Sequence, residues 1–154
     1  MSREIPAERR IVVGVDGSPS SEQALRWAVR QAELTHAAVD AVICWLYPTM
    51  YGRAPASVDR ESGLVAGKIL AKSVAWAVRD HPRVEIRESA ELGNAAQVLL
   101  ERSRGAELLV VGSRGHGGFV GALLGSVSQH CVQHASCPVV VVRTGDDRAE
   151  AESE

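Results

Sequence analysis

Between Leu108 and Arg143 the chain reads LLVVGSRGHGGFVGALLGSVSQHCVQHASCPVVVVR. An apolar run, Leu108–Val111, stops at Gly112. A glycine-crowded loop follows, a short helical pattern opens at Gly125-Ser126, and a second apolar run occupies Val139–Val142. Strand, glycine loop, helix, strand is the arrangement that gathers backbone N–H groups around an anion at a helix N-terminus. The rest of the chain is read as the frame that holds this loop.

The frame alternates. Ile11–Val15 is short, apolar and rich in β-branched residues, as a buried strand is. It ends in Asp16-Gly17-Ser18-Pro19, where Ser18 suits an N-cap and Pro19 the first helical position. Leu25, Ala28, Val29 and Ala32 then line one helix face, and His36-Ala37-Ala38 turns the chain into a second buried strand, Val39–Leu46. From Tyr47 to about Asp59, Pro48, Gly52 and Pro55 break any period, so this long loop is expected to be functional or disordered. Glu61–Arg79 reads as a helix with Val65, Ile69 and Trp76 on its inner face, ended by His81-Pro82. Val84–Ala90 alternates apolar and charged residues, which predicts an edge strand. Gly93-Asn94 opens a third helix with Val98 and Leu99 inward, ending near Gly105.

Strands and helices in strict alternation predict an α/β fold, a three-layer sandwich around a five-stranded parallel sheet. Right-handed crossovers leave the strand order 3-2-1-4-5 as the natural one. Strands one and four are then neighbours where the winding reverses, and ligands of open α/β sheets bind beyond the carboxyl ends of strands at such a point. Topology therefore brings Asp16, at the end of the first strand, to Gly112, at the end of the fourth.

The totals set limits. With 154 residues and a net charge of −2, a single domain is expected, over residues 8–145, with no basic surface for nucleic acid and no acidic-lipid partner. Residues 146–154 read as a disordered acidic tail. No apolar run reaches the roughly 20 residues of a membrane span, and MSREIPAERR has no signal-peptide core. Cys44, Cys131 and Cys137 form no CxxC pair and no disulfide framework, so a reducing cytoplasmic location is expected.

Two phosphate motifs are excluded. In a P-loop a lysine follows the second glycine, but Gly118 follows Gly117 here, and Lys68 and Lys72 are the only lysines in the chain. A dinucleotide fingerprint fails at Gly14-Val15-Asp16-Gly17, and the one begun at Gly115-His116-Gly117 finds its third glycine one residue late, at Gly121. What remains is Gly112-x2-Gly115-x9-Gly125-Ser126. Gly112 ends its strand without a Cβ, which lets a ligand lie on the backbone; Gly115, Gly117 and Gly118 allow the positive φ values that turn N–H groups inward. Gly125 and Ser126 begin a helix whose N-terminus favours phosphate. The Ser126 and Ser128 hydroxyls can donate to phosphate, Arg114 can reach it, and Asp16 can accept from ribose hydroxyls or help hold Mg²⁺ through water. Arg114 could equally point to solvent, and Asp16 has a lesser alternative as a cap alone.

The glycine spacing, the opening VVGVDGSPSSEQALRWA (Val12–Ala28) and the closing SCPVVVVR (Ser136–Arg143) resemble the ATP-binding branch of the universal stress protein family, over Ile11–Arg143. The resemblance implies a Rossmann-like fold of the adenine nucleotide alpha hydrolase type, with ATP and Mg²⁺ as ligands. It implies adenine at Gly14, Val15, Asp16 and Cys44, and phosphate contacts from Gly112, Arg114, Gly115, Gly125, Ser126, Val127 and Ser128. Val111, Ser113, His116 and Gly117 complete the candidate set. His116 departs from the small or basic residue common there. The resemblance also implies a homodimer through the last strand, and Val139, Val140, Val141 and Val142 would otherwise form an uncovered apolar edge.

Three functions compete. A nucleotide-dependent stress-response regulator needs only the cleft. A slow ATPase or adenylyl-transfer enzyme needs a base or nucleophile facing the phosphates; Asp16 and His116 are the candidates, the sequence marks no catalytic dyad for either, and at most weak hydrolysis is expected. A nucleotide-free interaction module would not need the intact glycine motif. Elsewhere the plain readings are preferred. His130 and His134, at i and i+4, lack a third ligand for zinc. Cys44 is expected to pack as a small apolar residue. Trp27, Trp45 and Trp76 are core or interface anchors, and Glu22, Arg26 and Arg30 a solvated helix face.

Overall fold

In the computed structural model, residues 8–46, 56–114 and 124–144 are described. The first apolar run forms strand β1 (Arg10–Val15), and Ser18 caps helix α1 (Pro19–Thr35), its side chain accepting from the Ser21 N–H with Pro19 in the first turn. His36 closes α1 in the left-handed region, at φ 58°. Strand β2 (Ala38–Trp45), helix α2 (Ala56–Ala77), strand β3 (Ile86–Leu92), helix α3 (Ala95–Arg102), strand β4 (Leu108–Gly112), helix α4 (Ser126–His134) and strand β5 (Val139–Val142) follow. The expected loop from Tyr47 lies outside the described residues as far as Pro55, and from Ala56 the chain is already helical. The acidic tail, from Gly145, also lies outside them.

All four strand pairings are parallel and the order is β3-β2-β1-β4-β5, as the crossover argument requires. Alternate residues of each strand feed two cores. Ile11, Val13 and Val15 pack with Leu25, Val29 and Leu70 of α1 and α2. Val12, Val42, Leu109 and Val111 pack with Leu99 of α3 and Cys131 of α4. Helices therefore cover both faces, and Val139–Val142 are half-buried at one sheet edge. Among the described residues no helix is long and apolar enough to cross a membrane.

Three sequence expectations need correction. The inner face of α2 is not Val65, Ile69 and Trp76, which are 56%, 38% and 41% exposed. Ala66, Leu70, Ser73, Val74 and Ala77 are buried instead. The helix is apolar on two sides, so hydrophobicity does not select the face; close approach to α1 does, and it favours small residues. For the same reason Glu22 and Arg26 are not a solvated face. Ser73 donates to the Glu22 carboxylate, and the Arg26 guanidinium lies 4.5 Å above the Trp76 ring centroid. Arg30 is exposed as expected, and Trp27 and Trp45 pack partly buried on the core. Finally, β3 begins two residues later than expected. Val84 precedes it and still packs on the core, and the strand is indeed at an edge.

Candidate functional site

At the carboxyl ends of β1 and β4 lies a cleft of about 280 Å³. Its floor is backbone and small side chains: Gly14 and Val15 of β1, Cys44 of β2, Val111 and Gly112 of β4. Asp16 and Arg114 stand at the two strand ends, and Gly125, Ser126, Val127 and Ser128 form the wall across from them. The topology thus brings together residues more than a hundred positions apart. Sequence reasoning missed Ser21, Val42, Ala95 and Leu99, which also line the cleft. Leu99 had been assigned only to the core. A Cβ on Gly14 would lie 2.8 Å from the Leu99 side chain, so the bare glycine is what lets Leu99 reach the cleft floor.

Besides α3, whose first residue Ala95 lines the cleft, two helices point their N-termini at it. That of α1 is closed by its own side chains. Ser18 caps it, the Asp16 Oδ1 accepts from the Ser18 N–H at 2.8 Å, and the Ser21 hydroxyl accepts from the Asp16 N–H at 3.2 Å. Asp16 is therefore a capping residue and a cleft residue at once. The N-cap of α4 is Gly125, which offers no side-chain cap. Its first N–H groups and helix dipole are available to an anion. Gly125 itself is anchored, its N–H donating to the Ser113 carbonyl at 2.6 Å.

Three residues behave differently from expectation. Ser128 is buried, and its hydroxyl is directed to the carbonyls of Gly125 and Ser113, at 3.0 and 3.3 Å. Its single proton serves the loop's exit, whereas Ser126 is exposed. Ser113 does not line the cleft; it is buried beneath it, 3.4 Å from the Ser20 hydroxyl. Gly112 lacks a Cβ for a different reason than ligand approach. A Cβ there would stand 2.4 Å from Ser20 Oγ and 2.7 Å from the Ser20 carbonyl carbon, so the glycine admits the first turn of α1. Gly115, His116, Gly117, Gly118 and Gly121 lie outside the described residues.

The electrostatics of the cleft are mild. Burial pushes the Cys44 thiol up to about 11, reinforced by Glu91 and opposed by Arg102, so the thiol stays neutral at ordinary pH and packs as an apolar group. Among the described residues no three His, Cys, Asp or Glu side chains are grouped to hold a metal. His130 and His134 stack exposed, their ring centroids 4.6 Å apart.

Known proteins share this architecture. The profile of the Universal stress protein family matches residues 8–143. A universal stress protein of Mycolicibacterium smegmatis is 37% identical over 134 residues, which are 86% of this chain and 45% of that protein. One from Mycobacterium tuberculosis is 36% identical over 146 residues, 88% of this chain and 48% of its own length. The chain spans about half the length of these curated relatives. Among solved structures, a universal stress protein in complex with cAMP superposes with a TM-score of 0.63 at 25% identity, covering 89% of this chain and 98% of that one. Profile, relatives and fold agree over nearly the whole described chain, and it belongs to the universal stress protein family.

Proposed function

We propose that the cleft binds ATP with Mg²⁺, and that the protein acts as a nucleotide-dependent stress-response regulator. One observation carries this reading: the carboxyl end of β4, at Gly112, and a helix N-terminus without a side-chain cap, Gly125–Ser128, face each other across a cleft at the point where the sheet reverses its winding. That geometry suits a phosphate chain, and the solved relative in complex with cAMP supports an adenine nucleotide as the ligand class. The base is proposed to pack against Gly14, Val15 and Cys44, the ribose to meet Asp16, and the phosphates to meet Gly112, Arg114, Gly125, Ser126 and Val127. Val111 and Ser113 support the floor, Ser128 fixes the wall, and Gly115, His116 and Gly117 are proposed as further contacts of the nucleotide.

Among the described residues lining the cleft, Asp16 is the one carboxylate. Mg²⁺ would therefore be held mainly by the phosphates and water, with Asp16 in its outer shell; the ion would neutralise phosphate charge. The proposed role is binding rather than turnover. The unit that binds is proposed to be a single domain, residues 8–145, followed by an acidic tail, working in the cytoplasm. The four half-buried valines of β5 are proposed to pair with those of a second copy.

Calorimetric titration with Mg-ATP tests the reading. A dissociation constant tighter than about 1 mM is expected, with AMP and cAMP weaker than ATP. Binding no tighter than that removes the proposal, and sedimentation as a monomer removes the dimer.

A further inference from the structure

Ser20 is buried, in the first turn of α1, yet every partner found for its hydroxyl among the described residues belongs to another segment. The Arg114 N–H donates to Ser20 Oγ at 3.2 Å. The same hydroxyl lies 3.4 Å from the Val142 carbonyl, to which it donates, and 3.4 Å from Ser113 Oγ. Ser18 completes the arrangement, its hydroxyl donating to the Arg114 carbonyl at 3.5 Å. Both polar ends of one residue, the last described before the glycine loop, are thus held by serines more than ninety positions away in sequence. Ser18 is already accounted for as a helix cap; Ser20 is not. There is no slack in the contact, because the space a Cβ of Gly112 would need is filled by Ser20 itself.

We infer that Ser20 is a positioning residue: its hydroxyl fixes the Arg114 backbone and so the place of Arg114 at the proposed phosphate end of the cleft. The inference rests on the proposed nucleotide site. Without the hydroxyl, the Arg114 N–H faces an apolar methyl in a part-buried place, and its peptide turns to find another acceptor. Arg114 then leaves its place at the strand end, while the part of the cleft around Gly14 and Cys44 is untouched. The expected defect is confined to the phosphates.

The test is Ser20→Ala, with Ser20→Cys as a milder variant whose sulfur fills the place but accepts weakly. Amide hydrogen exchange at Arg114 should quicken about tenfold in Ser20→Ala, and ATP affinity should fall about tenfold. Adenosine affinity should change less than about twofold, since only the phosphate contacts move. Ser20→Cys should fall between. Unchanged exchange at Arg114, or equal losses for ATP and adenosine, overturns the inference while leaving the nucleotide reading intact. If the unaltered chain binds no adenine nucleotide, the reading of the cleft fails first and this inference fails with it.

Discussion

The N-termini of α1 and α4 open onto the same cleft and are built in opposite ways. At α1 side chains serve the backbone around the helix start: Ser18 takes the Ser21 N–H, Asp16 takes the Ser18 N–H, and Ser21 takes the Asp16 N–H. At α4 the N-cap is a glycine with no side chain to offer. A helix end that satisfies itself supports the fold; one left bare is a place for an anion. The difference separates the residues that build the cleft from those that face its contents.

The contrast can be broken or sharpened. The largest effect is expected where α1 meets β4. Gly112→Val forces a side chain into the Ser20 backbone and should cost about 3 kcal/mol in urea denaturation, with loss of ATP binding. Gly125→Asp closes the bare end with a good cap. Helix stability should hold or rise slightly, while the new charge should weaken ATP by about 1–2 kcal/mol, roughly five- to thirtyfold by calorimetry. Stability and binding moving apart is the signature of an anion site; moving together would contradict it. Ser18→Ala strikes the closed end and should cost about 1 kcal/mol of stability, read by denaturation.

The smallest effect concerns Cys44. Its value of about 11 lies above the ordinary 9.0, so the folded state favours the neutral thiol. The corresponding stability is fully present below pH 9.0 and is lost as pH rises through about 11. At pH 8 only about 0.1% is thiolate, so alkylation by iodoacetamide should be slow and ATP should slow it further. Rapid labelling at neutral pH would contradict a packed role.

Much of this was legible beforehand where local chemistry and topology agree. Ser18-Pro19 announces a helix start by side-chain type alone, and alternation with right-handed crossovers fixes the meeting of Asp16 and Gly112. What escaped depends on contacts across the fold. Glycine spacing says that Gly112 must be bare, but only the packing shows that Ser20 is the reason. The α2 face escaped because apolar residues ring the helix, and Ala66, Ser73 and Ala77 win the inner side by being small. Val42, Ala95 and Leu99 carry no polar mark, so nothing in their type announced a place in the cleft.

The most direct measurement is an amide chemical-shift titration with Mg-ATP. The account predicts that the Ser126 and Val127 amides move and saturate while the Ser21 amide, already bonded to Ser18, stays within the spread of distant residues. Shifts at Ser21 with none at Ser126 and Val127, or shifts gathered instead around Glu8, Arg9 and His36, which line the cleft at the opposite end of the sheet, would contradict it.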